Sequence, residues 1–115
     1  CFEQRKIYKF LNSKIGKELK ECKKINKEKE FILVDSKISN SQIQGIIDLY
    51  YINSKGEIIL VDYKTDRINN GEEQKLIEKY SKQLEIYQKA LEQSLQKNVS
   101  RKYIYSVTLG KEIMI

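Results

Sequence analysis

Residues 45–66 read GIIDLYYINSKGEIILVDYKTD, and the rest of the chain is organised around them. β-Branched and aromatic residues fill both ends, and NSKG interrupts them. That is the pattern of a β-hairpin whose three- or four-residue loop uses Gly56 for a positive φ. Its second arm is apolar from Ile58 to Val61 and then carries Asp62 and Lys64. Burying either charge without a partner is expensive, so something must hold both. With Ser54, Lys55 and Gly56 as the loop, Asn53 faces Glu57 and Asp48 falls opposite Asp62. With a four-residue loop, Asp48 faces Val61 and lies diagonal to Asp62. Residues two apart leave the same face of a strand, so Asp62 and Lys64 share one. The hairpin therefore gathers Asp48, Asp62 and Lys64 into a small patch. Directly opposed carboxylates, with Cβ atoms about 4.5–5.5 Å apart, repel each other unless a cation lies between them.

Outward from the hairpin, EFILVDS (30–36) reads as a strand and KISNSQ (37–42) as a polar turn before IQGIIDLYYI (43–52). Upstream, Ile7, Phe10, Leu11, Ile15, Leu19 and Cys22 recur at helical spacing, which predicts a helix over residues 2–24. Downstream, RINNGEEQK leads into a long helix at about 72–97, striped by Leu76, Ile77, Tyr80, Leu84, Tyr87, Leu91 and Leu95. RKYIYSVTL and EIMI read as two more strands around Gly110 and Lys111. The order is α-β-β-β-α-β-β. No repeat or linker divides the 115 residues, which suit one small domain. The chain opens on Cys rather than Met and reads as a piece of a longer protein.

Composition narrows the chemistry. Histidine is absent, which excludes a Ser-His-Asp triad, a histidine zinc site and a histidine general base within these residues. Cys1 and Cys22 are too few for a disulfide framework, and a reducing cytoplasmic setting fits. No apolar run approaches membrane-spanning length. The net charge of +6 suits a polyanion such as nucleic acid, and equally suits ordinary solubility. Lysines concentrate from Lys17 to Lys29 and dot the second helix at Lys75, Lys79, Lys82 and Lys89. Such side chains contact phosphates without reading sequence.

Two carboxylates and a lysine suit phosphodiester hydrolysis. Hard oxygen ligands favour Mg²⁺ or Mn²⁺, which keep several waters. The lysine can position a water or stabilise phosphate oxygens. The plainer account is that Lys64 pairs with an aspartate at a sheet edge and does nothing further.

The stretch 44–66, followed by YSKQLEIYQKAL (80–91), resembles the RecB-type branch of the PD-(D/E)xK nucleases, and within it the AddA-type helicase–nucleases. Three ordered motifs carry the likeness. They are a G-x-x-D strand (Gly45 to Asp48), a D-Y-K strand (Asp62, Tyr63, Lys64) and a Q-x-x-x-Y helix (Gln83, Tyr87). The resemblance implies a restriction-endonuclease-like α/β fold, a mixed sheet flanked by helices. It implies Mg²⁺ or Mn²⁺ bound by Asp48, Asp62 and the carbonyl of Tyr63, with Lys64 catalytic. Gln83 and Tyr87 share a helix face and would orient catalytic groups or DNA, although Tyr87 also fits the apolar stripe. Glu28 matches the glutamate of an REKPF-like segment, and fits a solvated charge run as well. Arg67, Lys79 and Lys82 are the candidate DNA contacts beside these motifs.

The implied setting is a metal-dependent DNA exonuclease module of a helicase–nuclease acting in double-strand break repair and recombination, and the implied partner is an AddB-like second subunit. A catalytically degenerate module, one that only binds DNA or a partner protein, is the alternative. The family also places a metal-binding histidine upstream, which this chain lacks, so weak or no cleavage is expected from these residues alone. Some relatives carry a four-cysteine iron–sulfur cluster, which Cys1 and Cys22 cannot supply.

Overall fold

The computed structural model describes residues 9–22, 24–35 and 41–115. Of the helix expected over 2–24, residues 2–8 and 23 lie outside that set. The remainder is corrected in two ways. Residues 9–11 are helical, the chain breaks at Asn12 and Ser13, and α1 then runs Lys14–Leu19. Ser13 caps α1, its Oγ accepting from the Gly16 N–H at 3.1 Å. Gly16 is required there, because a Cβ would strike the carbonyl oxygens of Phe10 and Leu11. The apolar spacing was real, since Phe10, Ile15, Leu19 and Cys22 all pack on the sheet. The cap and the glycine split the helix that spacing suggested.

The second correction concerns β1, which spans Lys24–Asp35 and so begins six residues before the expected strand. Its early part, KINKEKE, lies at the sheet edge, where charged side chains are solvated and discourage pairing with other chains. The polar turn expected at 37–42 falls mostly outside the described residues, and its last two residues already belong to β2, Ser41–Ile52. β3 is Ile58–Lys64, α2 is Glu73–Leu95, β4 is Val99–Ser106 and β5 is Lys111–Met114. The order α-β-β-β-α-β-β is as expected.

Among the described residues these strands form one mixed sheet in the order β1-β2-β3-β4-β5. Only the β3–β4 pair is parallel, and α2 makes the crossover between them. β3 is central and buried on both faces, which is why Ile58 to Val61 form an unbroken apolar run. Toward α2, Tyr50, Ile58, Leu60 and Ile104 pack against Leu76, Leu84 and Leu91. Toward α1, Leu49, Tyr51, Ile59, Val61, Tyr103 and Tyr105 pack against Ile15. Each fully buried Leu or Ile contributes roughly 1.5–3 kcal/mol, so the α2 stripe is the main tether of that helix.

The hairpin takes the three-residue loop. Asn53 N–H donates to the Glu57 carbonyl at 3.1 Å, and Gly56 adopts φ +78°. The Asn53 side-chain oxygen accepts from the N–H groups of Lys55 and Glu57, at 3.0 and 2.9 Å, and so rigidifies the turn. The β2–β3 ladder runs from Ile52↔Ile58 to Leu49↔Val61, the register expected for a three-residue loop, and ends there.

Candidate active site

The ladder stops where the acidic residues begin. Asp48 makes no further backbone pair with β3; instead its Oδ2 accepts the Tyr63 N–H at 3.0 Å. On its other side, β1 pairs Lys27 with Leu49 and Lys29 with Ile47, and skips Glu28 and Asp48. Glu28 there has φ +52°, a left-handed backbone uncommon for a residue with a side chain. The alternation of β2 changes at the same point. Leu49 faces α1, whereas both Ile47 and Tyr50 belong to the cluster under α2. This irregularity leaves the Asp48 side chain to take a bond the main chain would otherwise make.

Asp62 is only 2% exposed. Its Oδ2 is buried without a hydrogen-bond partner, although the Lys64 ammonium lies 3.0 Å away as an ion pair. Burial, and next the neighbouring Asp48 carboxylate, push the Asp62 carboxyl up to about 7 against the pull of Lys64. Lys64 Nζ also donates to Gln83 Oε1 at 2.8 Å, and Gln83 Nε2 donates to the Tyr87 hydroxyl at 3.0 Å. The Tyr87 hydroxyl is raised above its ordinary range, first by burial and then by the Asp62 charge.

Two supports of this site go beyond the sequence reading, which places Gly45 in the G-x-x-D motif without its Phe31 contact and Tyr80 in the apolar stripe. Gly45 leaves room for the Phe31 ring, since a Cβ would come within 2.8 Å of it; that ring packs edge-on to Tyr87 with centroids 5.4 Å apart. Tyr80, read from the sequence as part of the apolar stripe, has its ring centroid 4.1 Å from Lys64 Nζ. Its hydroxyl reaches both carboxylate oxygens of Asp66, at 2.9 and 3.0 Å. The available signal was the shared helix face of Tyr80, Gln83 and Tyr87, three and four residues apart.

Asp48, Asp62, Lys64, Gln83 and Tyr87 are thus brought together. The N–H of Tyr63 is engaged by Asp48, and its ring lies on the opposite face against Phe10. Glu28 sits at the register position facing Asp48 but is exposed. Arg67 and Lys82 are exposed, and Lys79 is held by Asp66 at 2.8 Å. Among the described residues no three His, Cys, Asp or Glu side chains are grouped to hold a metal. What the site offers is two adjoining carboxyl groups and one ammonium. With both carboxyls ionised the set is net negative and made of hard oxygens, and it fits a divalent cation that keeps much of its own water.

A mixed sheet with paired aspartates and a lysine at the end of its central strand, backed by a helix presenting Gln and Tyr, defines a restriction-endonuclease-like nuclease fold. The model of the PD-(D/E)XK nuclease superfamily matches residues 3–112, and the chain belongs to that superfamily. It is similar to the A-type subunit of the ATP-dependent helicase/nuclease of Clostridium beijerinckii, at 40% identity over 96% of this chain and 10% of that protein. The protein of the same name from Clostridioides difficile is 36% identical over 87% of this chain and 9% of its own length. That from Lachnoclostridium phytofermentans is 52% identical over 64% of this chain and 5% of its own length. The chain spans about a tenth or less of the length of these relatives.

Proposed function

We propose that the chain is the nuclease module of a helicase–nuclease and hydrolyses DNA phosphodiesters with Mg²⁺ or Mn²⁺. The observation that carries this reading is the crowding of the buried Asp62 carboxyl against Asp48, with the Lys64 ammonium 3.0 Å from Asp62 Oδ2 as their close counter-charge. Two adjoining carboxylates are seldom left to one ammonium unless a cation can join them. Asp48, Asp62 and the Tyr63 carbonyl would hold the cation. When bound, it supplies Lewis-acid polarisation of a phosphoryl oxygen and neutralises charge gathering there.

The chain's own residues do the rest. Tyr87 accepts the Gln83 amide proton, which aims the Gln83 oxygen at Lys64. Gln83 and Asp62 then fix Nζ at the carboxylates, ready to donate to a phosphate oxygen in the transition state. Arg67 and Lys82, with Lys79 beside them, would contact the DNA backbone without sequence preference.

The relatives are each named for one component of a multi-protein enzyme. Their naming as a subunit supports assembly with a second protein; an AddB-like partner and a cytoplasmic role in repair and recombination complete the reading we propose. Among the described residues no helix is long and apolar enough to cross a membrane. Among the described residues only the carboxyls of Asp48 and Asp62 adjoin here, which favours a second reading, a degenerate module that binds DNA or a partner protein. Titration calorimetry with Mn²⁺ separates the two. The nuclease reading expects binding that Asp62→Ala and Asp48→Ala each abolish; cleavage of end-labelled DNA, expected to be weak from these residues alone, should stop with a chelator. Mn²⁺ binding that survives both substitutions would sink it.

A further inference from the structure

We propose that Tyr80 is a positioning residue for Lys64, and that Asp66 and Lys79 lock its ring in place. The inference rests on the nuclease reading for the importance of Lys64, but not for the contact itself. Lysine has a flexible stem and three rotating donors, so a single hydrogen bond does not fix its ammonium. Here Nζ meets three groups at once: Gln83 Oε1 at 2.8 Å, Asp62 Oδ2 at 3.0 Å and the Tyr80 ring at 4.1 Å. Tyr80 leaves α2 one turn before Gln83, so one helix supplies both the ring and the amide.

An aromatic face attracts a cation through its quadrupole. It presents no anion to compete with a substrate phosphate for the ammonium, as a third carboxylate would. The ring itself is anchored. Its hydroxyl donates to Asp66, whose Oδ2 also takes Lys79 at 2.8 Å. The Asp66 main chain is held in turn, its carbonyl accepting from Thr108 Oγ1 at 2.8 Å. Asp66 lies two residues beyond Lys64, so this clamp joins the exit of β3 to α2 across the lysine stem.

The test follows the Lys64 Hε resonances by NMR in the metal-free protein, and single-turnover cleavage of end-labelled DNA with Mn²⁺. Position 80 carries Tyr, Phe, Leu, or Phe with increasing ring fluorination. The ring should shift the Lys64 Hε protons upfield in wild type and Tyr80→Phe, and the shift should vanish in Tyr80→Leu. Maximal cleavage should fall about 3- to 30-fold in Tyr80→Leu and less than about 5-fold in Tyr80→Phe, with KM nearly constant. It should decline stepwise along the fluorinated series, which keeps the packing while weakening the quadrupole. A flat fluorine series, or Tyr80→Leu cleaving within about twofold of wild type, would overturn the positioning role. Absence of the upfield shift in wild type would overturn the contact. A wild-type protein that shows the shift yet neither binds Mn²⁺ nor cleaves would remove the nuclease reading and leave the contact standing.

Discussion

Replacing Asp62 with Asn should flatten the dependence of folding stability on pH. The wild-type carboxyl is raised from 3.8 to about 7, by burial first and the Asp48 carboxylate second. Between about pH 4 and about pH 7, therefore, the folded protein keeps a proton that the unfolded chain has released. Raising the pH through that window disfavours folding. The contribution of this group is fully present below 3.8 and is lost as the pH rises through about 7. The shift is roughly 3 units at about 1.4 kcal/mol each, an upper limit of about 4 kcal/mol. The asparagine variant carries no such titration.

The substitution also strips Lys64 of a partner that becomes its nearest anion as Asp62 ionises; the pH-dependent part of that loss is already contained in the raised Asp62 value, and the remainder is constant. The informative quantity is therefore the change in the stability difference between about pH 4 and about pH 8, not the difference at either pH. Urea denaturation of both proteins in chelator measures it. The variant should gain on the order of 2–4 kcal/mol relative to wild type across the window. Parallel stability profiles would refute the claim that Asp62 is held in a poorly compensated site. Adding Mn²⁺ near pH 8 should stabilise wild type and leave the variant unchanged, because a ligand that binds only the folded state adds its binding energy to folding.

Three further outcomes are expected. Gly45→Ala should cost about 1–3 kcal/mol by displacing the Phe31 ring, and less in a Phe31→Leu background; an equal cost in both would disprove that contact as the cause. Glu18→Ala should cost about 2–4 kcal/mol, because Glu18 receives Tyr51 at 2.7 Å, Asn53 at 3.1 Å and Arg101 at 2.9 Å. Burial alone would raise the Glu18 carboxyl, but those donors bring it below its ordinary 4.5. Its contribution should thus hold above 4.5 and fade as the pH falls, as denaturation at about pH 3 would report. On duplex DNA, Lys82→Ala and Arg67→Ala should each lower the salt slope of binding by about 0.9, and Lys79→Ala by less, since Lys79 is already paired with Asp66. Equal slopes for all three variants would dissociate that ion pair from DNA binding.

What the sequence made legible was local. NSKG needs one residue at positive φ, Gly56 supplies it, and the register that brings Asp48 toward Asp62 follows. Seven apolar positions at helical spacing marked α2 to within two residues at either end. The start of β1 was illegible for a physical reason. An exposed edge strand and a solvated helix end both require charges, so KINKEKE looks alike in either. Nor could any local pattern announce that Glu28 turns left-handed beside Asp48, because that irregularity belongs to two strands at once. Tyr80 was ambiguous for the converse reason. The apolar stripe of α2 starts beside the tip of β3 and runs back under the sheet core, so one helix face is lysine cradle at Tyr80 and hydrophobic packing at Leu84. The two kinds of surface meet where β2 stops pairing with β3. At that point burial persists while the β2 supply of backbone partners ends, and a carboxylate placed there is desolvated with chiefly the Lys64 ammonium to offset it. The chemistry of the site therefore follows from the place where the ladder stops, and not from the identity of Asp62 alone.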